Sequence, residues 1–233
     1  MNHREIKIKG FIPLSMLDWP GKMCSVIFLG GCNFRCPVCH NHKLVTRPDT
    51  LPDFLMDDVV RYLSSRVDWI DGVTVTGGEP TVNPCLQDLL ELLAGLGFKV
   101  KLDTNGSNPD MLQKLITERL IAAVAMDIKS PLTQESYCRM AGVPINIDTL
   151  ERSITIIRES GIERIFRTTV VPGLVAEEEL KKIKSAIGPD SPYILQPFRS
   201  GDTLNPSFNE TPEYDLARFE VMRELFENRT FHQ

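Results

Sequence analysis

The sequence predicts an α/β fold in which parallel strands alternate with helices, a partial (β/α)6 barrel of TIM type. Three observations predict it. Short runs rich in β-branched residues recur along the chain, the stretches between them carry apolar residues at helical spacing, and the residues that close the strand runs are unusually polar. Six such units make a barrel too short to close as eight.

Taken in order, residues 1–21 read as an N-terminal hairpin or extension, and residues 22–198 as the partial barrel. The first strand is predicted over 23–29, followed by a helix over 56–66 and a second strand over 73–76. A helix over 83–94, a strand over 98–103, a helix over 109–117 and a strand over 122–127 continue the alternation. Helices over 148–159 and 177–187 flank a fifth strand over 164–171, and a sixth strand covers 193–198. Gly95, Gly97, Gly161 and Gly188 follow apolar helical runs, where a left-handed residue after the helix end is expected. Residues 199–212, rich in Ser, Asn, Asp, Gly and Pro, read as a loop into a final helix over 213–226. No internal repeat or domain boundary stands out, so residues 1–233 read as one domain ending in a C-terminal loop and helix, 199–233.

At 233 residues, 42% hydrophobic and 24% charged, the chain has the composition of a globular protein with a sizeable core. The net charge of −5 argues against a nucleic-acid partner. No apolar run approaches the roughly 20 residues that span a bilayer, and the N-terminal residues MNHREIKIKG lack the apolar core of a leader. The expectation is a cytoplasmic protein with no membrane partner. Six cysteines are too few and too unevenly spread for a disulfide scaffold, and three of them crowd into eight residues, which points to metal ligation in a reducing compartment. Cys24, Cys85 and Cys138 read as buried small apolar residues.

In parallel α/β architectures ligands sit at the carboxyl ends of strands. After the first strand come Cys32, Cys36 and Cys39, spaced C-x3-C-x2-C. Three thiolates can hold a 4Fe-4S cluster and leave one iron to be completed from outside; the alternative is a zinc knuckle with His40 or His42 as fourth ligand. After the second come Gly77, Gly78, Glu79 and Pro80, where adjacent glycines let the backbone approach a ligand and the glutamate can accept from an ammonium. A strand-ending turn with a solvated acid is the plainer reading. The third strand ends in Asp103, Thr104, Asn105 and Gly106, the fourth in Asp127 and Lys129, the fifth in Pro172 and Gly173, the sixth in Arg199. Asp127 with Lys129 could be a strand-end ion pair, and Asp103 with Asn105 an Asx turn. Their arrival at successive strand ends points to a site.

The cysteine loop followed by Gly-Gly-Glu-Pro resembles the radical S-adenosylmethionine (SAM) superfamily, and the likeness extends along most of the chain. The finer resemblance is to glycyl-radical-enzyme activating proteins, most of all those of anaerobic ribonucleoside-triphosphate reductase. It rests on Ser15-Met16-Leu17-Asp18-Trp19-Pro20-Gly21-Lys22, which resembles Ser-x-x-Asp-Gly-Pro-Gly-x-Arg, and on Asp103-Thr104-Asn105-Gly106, Met126-Asp127-Ile128-Lys129 and Val170-Val171-Pro172-Gly173 in the activase order.

The resemblance implies a radical SAM fold with one 4Fe-4S cluster on Cys32, Cys36 and Cys39, and SAM on its free iron. It implies that Gly77, Gly78 and Glu79 hold the methionine amino group and that Lys129 neutralises the carboxylate. Asp103, Thr104 and Asp127 would lie around that carboxylate and can hold a monovalent cation, with Asn105 in the same strand-end segment. Reductive cleavage would give a 5′-deoxyadenosyl radical that generates a glycyl radical on a partner enzyme, with a flavodoxin or ferredoxin as electron donor. Val38 stands where many activases have an aromatic residue, leaving backbone contacts from Val38 to His40 to the adenine. Arg199 replaces a histidine as an adenine contact, and Arg167 either points inward to the nucleoside or snorkels at the surface. His40 and His42 could tune the cluster or cap a polar loop. Trp19 either packs the N-terminal hairpin or faces a partner, and His3 and His232 read as solvated. The rivals are a radical SAM enzyme acting on a small molecule or nucleoside, and a non-catalytic zinc module that binds a partner.

Overall fold

The computed structural model describes residues 6–228. His3 and His232 lie outside the described residues. Seven strands among those described form one sheet: β1 Ile8–Ser15, β2 Cys24–Leu29, β3 Gly72–Gly77, β4 Lys99–Thr104, β5 Ala123–Asp127, β6 Glu163–Val170 and β7 Tyr193–Pro197, hydrogen-bonded in that order. Helices α1 His42–Thr46, α2 Met56–Ser64, α3 Leu86–Gly95, α4 Pro109–Thr117, α5 Gln134–Ala141, α6 Ile147–Glu159, α7 Glu177–Ile187 and α8 Leu216–Phe226 complete the order. The six predicted strands are β2 to β7, each within two residues of its expected ends. The added strand, β1, runs antiparallel to β2, with Ile12 opposite Val26.

Sequence explains the sheet. The strands β2, β3, β4 and β5 are buried at nearly every position, as strands covered on both faces must be, and β2 pairs β3 and β3 pairs β4 in parallel. Helix α3 buries Leu86, Leu89, Leu90 and Leu93, one stripe at helical spacing. Helix α6 starts where the Asn146 side chain accepts from the Asp148 N–H, and α8 where Asp215 accepts from the Arg218 N–H.

Two compact units divide the chain. The first runs through Asn33 and includes Asn41–Thr104 and Asp110–Val124. Its core includes Trp19, wholly buried against Cys24, Val26 and Ala123. Trp19 therefore packs the N-terminal segment and presents no face to a partner. A side chain at Gly72 would meet the Trp19 ring at 2.6 Å, so the indole fixes that glycine. The Ser15 to Asp18 turn is closed by its own side chains: the N–H groups of Leu17 and Asp18 donate to Ser15 Oγ, which donates to Asp18 Oδ2.

The second unit comprises Phe34–His40, Asn105–Pro109 and the chain from Ala125 onward. Here β6 pairs β7 in parallel, with Thr168 opposite Leu195. Helix α5 was not expected from the sequence. It ends on Gly142, whose left-handed conformation (φ 68°) closes it, and a Cβ there would lie 2.0 Å from the Arg35 carbonyl oxygen. Gly97, Gly161 and Gly188 have positive φ as expected, whereas Gly95 lies within α3 and does not. Cys24 is buried as expected, but Cys85 and Cys138 are half-buried: Cys85 precedes α3, and Cys138 accepts from the Ile145 N–H. Among the described residues no helix is long and apolar enough to cross a membrane.

Candidate functional site

In the first unit the strand-end residues pack on one another. The N–H of Gly78 donates to the Leu29 carbonyl at 2.9 Å and the N–H of Glu79 to the Gly31 carbonyl at 2.8 Å, so the Gly-Gly-Glu turn lies on the entry to the cysteine loop at Cys32. Both glycines are demanded by that packing. A Cβ at Gly77 would fall 2.2 Å from the Leu29 oxygen, and one at Gly78 would fall 1.8 Å from the Gly31 oxygen. Glu79 is buried, not a solvated acid, and its Oε1 accepts from the Thr81 N–H at 3.1 Å, the Thr81 hydroxyl at 2.6 Å and the Thr104 hydroxyl at 2.8 Å. Three donors on one oxygen fix the carboxylate in its rotamer. Thr81 was not singled out from the sequence, although a hydroxyl two residues after a strand-end acid is a recognisable local donor to that acid.

Asp103 does not stand alone at its strand end. The Lys101 ammonium pairs with its Oδ1, and both side chains are buried. Sequence reasoning passed over Lys101, though a lysine two residues before an aspartate must share its face of a strand.

In the second unit Asn105 makes the Asx turn, its Oδ1 accepting from the Ser107 N–H at 2.9 Å. Asp127, at the end of β5, accepts from Arg167 Nε at 2.8 Å and faces Lys129 Nζ at 3.4 Å. Arg167 thus points to the strand-end acid and is no surface snorkel; its side chain is 16% exposed. Burial alone would raise the Asp127 carboxyl, but the Arg167 guanidinium and the Lys129 ammonium outweigh it and hold the carboxyl below its ordinary range. For Lys129 burial works against the charged form and Asp127 more than reverses it, so its ammonium is held firmly protonated. The Tyr137 hydroxyl, buried beneath, accepts from the Lys129 N–H at 3.4 Å.

The segment Phe34–His40 carries Cys36, Val38 and Cys39 and is held from two sides within this unit. The Arg35 N–H donates to the Ala141 carbonyl at the end of α5. Opposite, residues following β7 form a strap: Leu204 N–H donates to the Cys39 carbonyl at 3.1 Å and Asn205 N–H to the Pro37 carbonyl at 2.9 Å. His40 joins the strap, donating through Nε2 to the Arg199 carbonyl at 2.8 Å, which is the loop-capping role. The Arg199 side chain turns to solvent, 63% exposed, and pairs with Glu213 at 2.7 Å. Val38 is half-buried. His42 opens α1 in the first unit, where its carbonyl accepts from the Thr46 hydroxyl.

None of the six cysteines is joined in a disulfide. Burial pushes the Cys36 thiol up, with Lys129 drawing it partly back, so the bare side chain is protonated near neutrality and a metal is what would displace its proton. Three soft thiolates at this sequence spacing are the donor type an iron–sulfur cluster takes, while among the described residues no three Cys, His, Asp or Glu side chains stand together as a metal-holding group. The second implied group, a monovalent cation, does not fit: Asp103 and Asp127 each already face ammonium or guanidinium groups of this chain.

Known proteins place these residues in context. A protein of Methanocaldococcus jannaschii named as a glycyl-radical enzyme activating enzyme is 30% identical over 224 residues, covering 94% of this chain and 89% of that one. The pyruvate formate-lyase-activating enzyme of Clostridium pasteurianum is 25% identical over 192 residues, 78% of this chain and 76% of that one. Among solved structures, Streptococcus suis SuiB bound to S-adenosylmethionine superposes on 86% of this chain with a TM-score of 0.64 at 15% identity, a likeness of fold alone. The chain spans 47% of SuiB's length. The family description Radical SAM superfamily matches residues 26–185, from β2 into α7, and the chain belongs to the radical SAM superfamily.

Proposed function

We propose that this protein activates a glycyl radical enzyme, the anaerobic ribonucleoside-triphosphate reductase being the partner of choice. The observation that carries the reading is the relative named as a glycyl-radical enzyme activating enzyme, similar over 94% of the chain. Cys32, Cys36 and Cys39 would hold a 4Fe-4S cluster. When bound, cluster and SAM supply the chemistry, reductive cleavage to methionine and a 5′-deoxyadenosyl radical that takes a hydrogen atom from a glycine Cα.

The chain's own work is to bind, orient and exclude water. An amino acid's ammonium and carboxylate call for one fixed acid and one fixed cation, and Glu79 and Lys129 would supply them. The Thr81 and Thr104 hydroxyls keep the acid's position, while Asp127 and Arg167 keep the lysine's. The Gly77 and Gly78 turn adds backbone groups beside Glu79, and Asn105 shapes the turn after β4. Val38, His40 and Arg199 would contact the adenine only through the backbone, since the His40 ring and Arg199 side chain are engaged elsewhere. A flavodoxin or ferredoxin would deliver the electron, in the cytoplasm.

The test is incubation of anaerobically reconstituted protein with SAM, a reductant and the candidate reductase, followed by electron paramagnetic resonance. A glycyl doublet on the reductase is expected. Robust SAM cleavage with no glycyl signal on any candidate partner would move the substrate to a small molecule or nucleoside.

A further inference from the structure

We propose that Lys101 is a built-in counter-ion at the end of β4, and that the protein therefore takes no monovalent cation at Asp103. Side chains two apart on a strand share a face, and Lys101 lies on the same face as Asp103 with its ammonium on the carboxylate. In register it stands opposite Thr74, whose hydroxyl reaches Cys24 Sγ at 3.5 Å, and Cys24 packs with Trp19 and Val26. The lysine stem is thus enclosed in core, 1% exposed, with its charged end delivered to the strand end.

An ammonium removed from water keeps its charge only beside an anion, and the reverse holds for the carboxylate. The pair satisfies both demands at once. A sodium or potassium ion at Asp103 would stand against an ammonium of like charge, or would have to expel a side chain that is only 1% exposed. The other acid that could serve a cation, Asp127, has Arg167 and Lys129 against it. Lys101 is on this view a positioning residue: it holds Asp103 in place and leaves the local charge near neutral without help from the medium.

The experiment uses anaerobically reconstituted full-length protein in potassium chloride and in tetramethylammonium chloride at equal ionic strength. Thermal unfolding reads the ion pair directly, and SAM affinity reads its consequence; the second readout rests on the function proposed above, the first does not. Wild type is expected to unfold at the same temperature in both salts, with SAM dissociation constants agreeing within ~2-fold. Lys101→Met keeps the stem and removes the ammonium from Asp103. Its SAM affinity should fall by ~10-fold or more in tetramethylammonium and recover toward wild type as potassium is added, with a concentration-dependent rise in Tm. Lys101→Met/Asp103→Asn removes both charges and should fold and ignore potassium, which keeps the comparison decisive if the single variant is insoluble. A wild type whose Tm or SAM affinity climbs ~10-fold-equivalent with potassium, or a Lys101→Met as indifferent to potassium as wild type, overturns the proposal. Failure to bind SAM in any salt would count against the proposed function, and the unfolding comparison would still decide the role of Lys101.

Discussion

The main-chain N–H of Asn205 donates to the Pro37 carbonyl at 2.9 Å, between Cys36 and Cys39, so residues that follow the last strand help fix the segment bearing two of the three thiols proposed to hold a cluster. Proline at 205 removes this donor, at a backbone φ of −100° that must shift by roughly 35° to reach proline's own preference. Asn205→Ala loses only the side-chain cap on Ser207 and serves as control. Losing the bond costs about 1 kcal/mol, so iron should pass to a chelator about fivefold faster from Asn205→Pro than from Asn205→Ala. Equal rates would show that the strap does not hold the loop.

Gly78→Ala places a Cβ 1.8 Å from the Gly31 oxygen, a backbone atom that cannot rotate away. About 2–4 kcal/mol of destabilisation follows, read as a fall in Tm of roughly 5–15 °C. Gly95→Ala meets nothing within 4 Å and sits in a helix, where alanine is the better residue. Its Tm should rise, by roughly 1–4 °C.

Asp127 supplies the pH dependence. Its folded-state pKa is depressed, so its contribution to stability is present above its unfolded value of about 3.9 and is lost as pH falls through the lower folded value. Lys129 has a raised folded pKa, so its contribution holds through neutrality and is lost only in strong alkali. Urea unfolding should therefore show a gap between wild type and Asp127→Asn that is constant from about pH 5 to 9 and closes below about pH 4. A gap that changes between pH 6 and 8 would refute the assignment.

Arg199 is tested by subtraction. Its side chain is mostly in water beside Glu213, so Arg199→Ala should leave SAM affinity within about twofold and thermal stability unchanged. A tenfold loss of affinity would return the guanidinium to the adenine site.

Much of the fold was legible because the strands β2 to β7 are short runs with β-branched and other apolar residues, closed by Gly, Pro or polar residues at or just after their ends. Helix α5 escaped because QESYCRMA buries only Tyr137, Met140 and Ala141 and offers no apolar run. The thiols, the Gly-Gly-Glu turn and Lys129 were legible as residue types at strand ends. What was not legible is who holds whom. Leu204 and Asn205 act through backbone N–H groups that any residue but proline supplies, Lys101 reads as an ordinary charged residue until its strand is seen to be buried, and Arg167 needed the β5 to β6 neighbourhood to find Asp127.

The strap has a consequence in the order of synthesis. The cysteines leave the ribosome early, whereas Leu204 and Asn205 follow about 170 residues later, roughly ten to thirty seconds at ordinary translation rates. Until then the carbonyls of Pro37 and Cys39 have no strap to accept from, and a nascent chain carries Cys36 and Cys39, the thiols proposed to hold a cluster, before the segment that fastens them exists.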